Sequence, residues 1–336
     1  MTIHADYCLK NYDTFAINVQ AERFIEAMNV DDVQELCREK YSPLLILGGG
    51  SNMLFTGNFR GTVVKIGILG KEIIQETDTE IILKVGAGES WHELVTYCVE
   101  NHYAGIENLG LIPGTVGASP IQNIGAYGVE LKDVFDSLEY VDRQTQEITS
   151  LPAAECRFGY RDSIFKHELR GQAIITSVSL RLEKSDVARH TSYKDIETEL
   201  AAMNVAKPLI RNVFDAVCAV RRRKLPDPAE IGNAGSFFKN PTIAATEFAA
   251  LQEKYPEIPH YSQPNSDEKI PAAWLIQQCG WKGIRRGNVG VHPNQALVLV
   301  HYGGATGAEI IALAREIQAS VLEKFSVHLE MEVNII

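Results

Sequence analysis

Residues 233–241 read Asn-Ala-Gly-Ser-Phe-Phe-Lys-Asn-Pro. Ser236 follows a small Ala-Gly pair and precedes two aromatics, with Lys239 and Asn240 within one turn. A hydroxyl held this way can give or take a proton beside an anion-binding group and an amide. The same stretch also fits an ordinary turn anchored by phenylalanine, so other segments must decide.

Two glycine-rich segments bear on that choice. Pro43 opens the apolar run Leu44 to Leu47, which leads straight into Gly48-Gly49-Gly50-Ser51-Asn52. Successive glycines after a buried strand can turn several backbone N–H groups inward as an anion nest. A plain tight turn is equally compatible, and the spacing is not that of the Gly-x-Gly-x-x-Gly dinucleotide fingerprint. The second segment runs from Leu111 to Gly128, with four glycines, two prolines and almost no charge. A solvated loop of that length ordinarily carries Asp, Glu or Lys. An uncharged one bearing Ser119, Gln122 and Asn123 suits packing against a flat cofactor, with amides reaching ring heteroatoms or a pyrophosphate. An internal connection between strands is the alternative. The two loops together favour a dinucleotide.

Three further clusters carry charge. In Cys156-Arg157-Phe158-Gly159-Tyr160-Arg161-Asp162-Ser163, arginines stand beside aromatics. Such an arginine can hold a carboxylate through two hydrogen bonds, or form a surface ion pair. Arg221-Arg222-Arg223-Lys224 either complements a helix C-terminus or forms a local phosphate receptor, with Lys224 the best candidate because it precedes the Leu-Pro-Asp-Pro turn. Glu330 and Glu332, two apart on an apolar strand pattern, would point to one face.

The elements that must position these groups read as α+β. Helical spacing covers Val30 to Lys40, with Val33, Leu36 and Cys37 on one face. A capping box, Ser90 to Glu93, opens a helix carrying Trp91, Leu94, Val95, Cys98 and Val99. Strands are expected at Leu44–Leu47, Thr62–Ile66, Glu80–Val85, Val134–Val141 and Ala173–Leu182. Asn212 to Lys224 reads as a helix ended by Pro226 and Pro228, and Ala272 to Cys279 as one stopped by Gly280. A second capping box, Thr306 to Glu309, opens a helix whose apolar face is Ile310, Leu313, Ala314, Ile317, Val321, Leu322 and Phe325. A short final strand is expected from Val327 to Ile335.

The 336 residues suit two or three domains, and 45% apolar with 22% charged residues is ordinary for a globular chain. A net charge of −11 argues against a general nucleic-acid binder, while leaving room for a local basic receptor. Six scattered cysteines form no Cys-x-x-Cys pair, which disfavours zinc or dithiol chemistry. With no signal pattern and no apolar run near the roughly 18 residues a membrane span needs, a cytoplasmic protein without membrane insertion is expected.

Five motifs in order resemble the UDP-N-acetylenolpyruvoylglucosamine reductases (MurB). They are Leu-Gly-Gly-Gly-Ser-Asn, Ile-Pro-Gly-Thr-Val-Gly-Ala-Ser-Pro-Ile-Gln-Asn-Ile-Gly-Ala-Tyr-Gly, Phe-Gly-Tyr-Arg-Asp-Ser, Lys-Leu-Pro-Asp-Pro and Asn-Ala-Gly-Ser-Phe-Phe-Lys-Asn-Pro. The match runs from about Asn11 to Val333, and the Tyr193 stretch looks like the type I branch. The resemblance implies the two-domain FAD-binding fold of vanillyl-alcohol-oxidase (PCMH) type plus a separate α+β substrate-binding domain. The expected divisions are 1–67 and 68–225 with 326–336 for FAD, and 226–325 for substrate.

Non-covalent FAD is implied, with NADPH as reductant, a UDP-sugar as substrate and a monomer as the working form. Arg161, Ser236 and Glu332 are the implied catalytic set. Cofactor contacts are expected from Gly48, Gly49, Gly50, Ser51 and Asn52, and from Pro113, Gly114, Gly117, Ser119, Gln122, Asn123, Gly125, Ala126 and Tyr127. Tyr160, Tyr193, Lys224, Asn240 and Gln295 are the expected substrate contacts, and no metal ligand is expected. One departure stands out: many relatives carry arginine two residues after the catalytic glutamate, where this chain has Asn334. Arg222 or Arg223 is a candidate to offset the loss of that cation.

The implied reaction reduces an enolpyruvyl ether to a lactyl ether through the flavin. Two other classes stay open on sequence alone: an oxygen-using flavin oxidase of the same fold, and a nucleotide-sugar binder that has lost its chemistry.

Overall fold

The computed structural model describes all 336 residues. The chain forms two compact units. One comprises residues 1–7, 21–49 and 60–223, the other residues 8–20, 50–59 and 224–336. By contacts, residues 326–336 group with the C-terminal unit, as do residues 8–20, 50–59 and 224–225, while the rest of the expected FAD divisions forms one unit.

In the first unit, Leu44–Leu47 lies parallel to Phe59–Ile66, with Leu44 opposite Thr62 and Leu47 opposite Lys65. Gln20–Ala27 and Ile3–Cys8 complete that four-stranded sheet. A larger sheet runs in the order Ile148–Pro152, Phe135–Asp142, Ala173–Lys184, Glu80–Gly86, Lys71–Glu76, all antiparallel. Ala173–Lys184 is its central strand, and Ile174 to Leu180 is buried without interruption. A strand buried at successive positions is covered on both faces, which explains its unbroken apolar and small-polar run.

The core of this unit gathers Val33, Leu36, Leu83, Trp91, Val95, Val178 and Leu180. The helix Val30–Glu39 starts at Asn29, whose side chain accepts from the Asp32 amide at 2.8 Å, and stops at Lys40 in the left-handed region. A cap of this kind is worth about 1 kcal/mol. Ser90 caps the helix Trp91–Glu100 through the Glu93 amide at 3.5 Å. The return bond expected from Glu93 is absent there. The full reciprocal box forms at Thr306 and Glu309, where the Thr306 amide donates to Glu309 Oε2 at 2.7 Å.

In the second unit that box opens the helix Gly307–Phe325, which buries Ile310, Leu313, Ala314, Ile317, Val321 and Phe325. Leu322, expected on the same face, is exposed. The helix Ala272–Gln278 ends just before Gly280, whose φ is +80°. Three short strands, Arg285–Arg286, Val289–Val291 and Leu299–His301, form an antiparallel sheet beside them.

The final strand is shorter than expected. Only Asn334–Ile335 is regular, running parallel to Met53–Leu54. Upstream, the Glu332 amide donates to Phe237 O at 2.8 Å and the Lys239 amide to Glu330 O at 2.9 Å. The segment thus changes pairing partner between residues 332 and 334, and that change breaks the ladder.

Candidate active site

The two glycine loops meet in the first unit. A methyl added to Gly49 would sit 2.6 Å from Gly114 Cα, and one on Gly48 would sit 2.5 Å from Thr115 Oγ1. Gly117 approaches Ala87 as closely, with 2.5 Å to its Cβ. Real Cβ atoms do not tolerate such distances, so these contacts exist because the residues are glycine. The Gly117 amide donates to Ala87 O at 2.9 Å and the Val116 amide to Glu89 O at 2.9 Å, which fixes the second loop against the large sheet.

Gly48, Gly49, Gln122, Gly125, Ala126 and Tyr127 are half-buried and carry no charge. That is the surface a flat, largely apolar ligand would cover, and it fits FAD. The backbone of Gly48 and Gly49 and of Pro113 to Tyr127 would hold the cofactor. The side chains of Ser119 and Asn123 are committed elsewhere. Ser119 is buried and donates to Val116 O at 2.6 Å. Asn123 is fully buried, with its amide nitrogen 3.0 Å from both Glu130 Oε2 and Gly159 O and its oxygen 3.0 Å from the Lys132 amide. What these two positions offer a cofactor is backbone.

The Gly159 bond leads to the arginine turn. Gly159 and Asp162 exchange backbone hydrogen bonds at 3.0 and 3.3 Å, closing a tight turn around Tyr160 and Arg161. Ser163 donates to Ile121 O at 2.7 Å, and Arg161 Nη2 donates to Gly125 O at 3.2 Å. The guanidinium lies 5.8 Å from the Tyr160 ring centroid. The turn is therefore sewn onto the cofactor loop. Asn123, Tyr127 and Arg161 all hold left-handed backbone, with φ of 43°, 50° and 54°. Non-glycine residues stay in that region where surrounding contacts over-determine the backbone, as the bonds around Asn123 and Arg161 do here. The neighbouring Arg157 takes the other route and pairs with Glu168 at the surface.

Tyr127 stands edge-on to Tyr193, with ring centroids 5.4 Å apart. Burial raises the Tyr127 phenol pKa, and Asp195 and Tyr193 add to the rise against the lowering pull of Arg221. Arg221 is itself pushed down by burial. Of the basic run, Arg223 pairs with Glu199 at 2.9 Å and Arg222 is exposed. Lys224 is the last residue of the helix Ile210–Lys224 and is half-buried.

In the second unit, Ser236 and Glu332 sit on neighbouring backbone segments. Ser236 bridges Val298, Phe238 bridges Met331, and the Phe237 amide donates to Leu297 O at 2.8 Å. The approach to Ser236 is shaped by Asn233, which sequence reasoning did not single out. Its nitrogen donates to Ile231 O at 2.9 Å, and its oxygen accepts from the Gly235 amide at 2.9 Å. Gly235 follows with φ +68°. Gln295 heads the turn that ends at Val298, whose amide donates to Gln295 O at 3.1 Å. Asn240 caps the helix Ala272–Gln278 by accepting from the Ala272 amide at 2.9 Å, leaving its NH2 to donate.

Asn52 closes this group. Its side-chain nitrogen donates to Glu332 O at 3.3 Å, and its carbonyl accepts from the Asn334 amide at 3.1 Å and from Asn334 Nδ2 at 2.9 Å. Asn334 thus binds the loop that follows the glycines instead of presenting a cation.

Fold and glycine loops together define a flavin-binding protein with an appended C-terminal domain. The FAD binding domain model matches residues 21–150, and the model for the UDP-N-acetylenolpyruvoylglucosamine reductase C-terminal domain matches residues 227–336. Proteins named UDP-N-acetylenolpyruvoylglucosamine reductase match over almost the whole chain. That of Flavobacterium johnsoniae is 48% identical and that of Amoebophilus asiaticus 50%, each with 100% of both chains covered. That of Pseudomonas aeruginosa is 47% identical over 98% of each. The chain belongs to the UDP-N-acetylenolpyruvoylglucosamine reductase family. The crystal structure of the MurB reductase from Thermus caldophilus shares its fold, with a TM-score of 0.70 at 22% identity over 99% of this chain and 98% of that one. No helix is long and apolar enough to cross a membrane.

Proposed function

We propose that this chain reduces UDP-N-acetyl-3-O-(1-carboxyvinyl)-glucosamine to UDP-N-acetylmuramate with NADPH, in peptidoglycan precursor synthesis. The observation that carries the reading is the Ser236 segment. A hydroxyl follows the Asn233-built turn, and the Glu332 amide is bonded to the next residue, Phe237. The chemistry FAD supplies when bound is hydride transfer, from NADPH in one half of the cycle and to the terminal vinyl carbon of the substrate in the other.

The chain's residues handle charge and protons. Arg161 holds the substrate carboxylate, where negative charge spreads as an enolate once the vinyl carbon has gained hydride. Glu332 steadies the same group. Two anions repel, so it does this protonated or through a bridging donor. Ser236 gives its proton to the carbon beside the carboxylate, forming the new C–H bond of the lactyl ether, and regains one from solvent. Tyr160, Tyr193, Lys224, Gln295 and the free NH2 of Asn240 hold the UDP-sugar. The same reading makes the protein a cytoplasmic monomer that acts on small molecules.

The test is anaerobic. The purified flavoprotein is bleached with NADPH and then given the UDP-enolpyruvyl sugar. Recovery of flavin absorbance with that substrate supports the reductase, whereas recovery with oxygen alone overturns it in favour of an oxidase.

A further inference from the structure

Asn108 lies in the short turn of 3-10 helix Glu107–Leu109 and is almost wholly buried. Its one amide nitrogen serves two loops. It donates to Tyr127 O at 3.2 Å and to His190 O at 2.8 Å. Tyr127 ends the glycine-rich cofactor loop, and His190 belongs to the exposed segment that delivers Tyr193 to the start of the helix Lys194–Ala202. The side chains beyond these carbonyls then meet, Tyr127 edge-on to Tyr193 at 5.4 Å.

The segment before Tyr193 has firm anchors up to residue 188. The Ser185 amide donates to His102 O at 3.0 Å, Ile210 to Asp186 O at 2.8 Å, and Ala188 to Pro208 O at 3.3 Å. Past that point the chain runs along the surface, and Asn108 reaches it from inside the core. Tyr127 holds left-handed backbone at φ 50°, and the Asn108 bond to its carbonyl is one of the contacts that fix it there. Asn108 also has a buried oxygen without a hydrogen-bond partner. A buried amide that leaves its oxygen unmatched is costly, and bonds to two loops at once offset that cost.

We infer that Asn108 is a positioning residue for substrate binding: its amide ties the Tyr193 segment to the cofactor loop and so holds Tyr193 where the UDP-sugar meets it. This rests on the proposed reading of Tyr193 as a substrate contact. The hydrogen-bond pattern is independent of that reading.

The experiment uses the holoenzyme, reduced anaerobically with dithionite so that NADPH binding plays no part. Reoxidation by the UDP-enolpyruvyl sugar is followed across substrate concentrations for the parent, Asn108→Leu, Tyr193→Ala and the double variant. Asn108→Leu keeps the side-chain size and removes both bonds. The half-saturating concentration should rise about ten-fold or more, with the limiting rate within about two-fold, as expected when binding shared by ground and transition states is lost. The double variant should be no worse than Tyr193→Ala alone, because both changes act on one contact.

Additive losses overturn the inference, as does an unchanged half-saturation in Asn108→Leu with full FAD content. If Tyr193→Ala leaves half-saturation at the parent's value, the reading of Tyr193 fails, and the positioning role with it. Should Asn108→Leu not fold, Asn108→Ala is measured in the same way, with amide exchange of residues 186–193 alongside. Unchanged exchange of those amides would overturn the tether.

Discussion

Gly49 and Gly114 touch backbone to backbone: a methyl group on Gly49 would stand 2.6 Å from Gly114 Cα and 3.1 Å from its carbonyl carbon. The contact brings the loop after Leu44–Leu47 against the loop after the helix Trp91–Glu100. Together the loops present a half-buried strip whose shape depends on the absence of side chains at Gly48 and Gly49, and in the proposed reading this strip takes the cofactor.

Gly49→Ala should therefore separate the loops by the width of a methyl group. Overpacking of this kind costs about 1–3 kcal/mol where the neighbour is backbone and cannot turn aside. The expected outcome is a protein that folds yet purifies with little FAD and binds added FAD at least ten-fold more weakly. Flavin absorbance per protein and a fluorescence titration measure this. Full FAD occupancy in the variant would show that the loop contact is not what shapes the strip.

Ser236→Ala removes the proposed proton donor and nothing else of size. Reduction of the holoenzyme by NADPH should stay within about two-fold of the parent. Reoxidation by the enolpyruvyl substrate should slow by roughly 10²–10⁴, the usual contribution of a general acid. Rapid-mixing absorbance under anaerobic conditions separates the halves. Equal slowing of both would assign Ser236 to binding or folding instead.

Arg161→Lys keeps the positive charge but gives up the planar fork. The guanidinium reaches Gly125 O as well as facing the substrate in the proposed reading, so a lysine would have to abandon one of them. A loss of about 10- to 100-fold in kcat/KM is expected, in line with hydrogen bonds to charged groups worth roughly 1.5–3 kcal/mol. Flavin content should remain normal. A variant within two-fold of the parent would remove Arg161 from carboxylate binding.

Much of this was legible in the residues, for a physical reason. Glycine spacing, the Phe-Gly-Tyr-Arg-Asp-Ser turn and the serine stretch are local patterns, and local backbone rules act on them directly. The strand Leu44–Leu47, in which Leu47 alone is fully buried, and the buried strand Ala173–Lys184 are legible for the same reason. The exposed edge strand Lys71–Glu76 was missed, because its Ile73 and Ile74 face solvent and no face alternates. The partners of Asn108 and Asn52 were also out of reach. Their bonds to His190 and Glu332 arise from tertiary approach, and an asparagine in a sequence carries no sign of which distant carbonyl it will meet. The internal bonds of Ser119 and Asn123 were likewise not visible in the sequence: a polar side chain in a glycine loop can bond within its own surroundings.

Asp13 makes the last prediction, and it concerns pH. Its carboxylate is buried, and the backbone amides near its oxygens do not meet regular hydrogen-bond geometry. Burial lifts its pKa from 3.8 to about 7, and the nearby Ile17, Phe15 and Ala16 amides only partly oppose the shift. A carboxyl with a raised folded pKa binds more protons when folded than when unfolded. Its stabilising effect is therefore complete below pH about 4 and is lost as pH rises through about 7. Asp13→Asn removes that dependence while keeping the shape. At pH 4 the two proteins should melt together, apart from the amide's own packing. At pH 8 the variant should be the more stable, by at most about 4 kcal/mol for a shift of about three units. Thermal melts of parent and variant across pH 4 to 8 supply the difference curve, in which the other titrating groups cancel. A flat curve would mean that Asp13 ionises in the folded protein at its ordinary pKa, with water or a backbone amide reaching it.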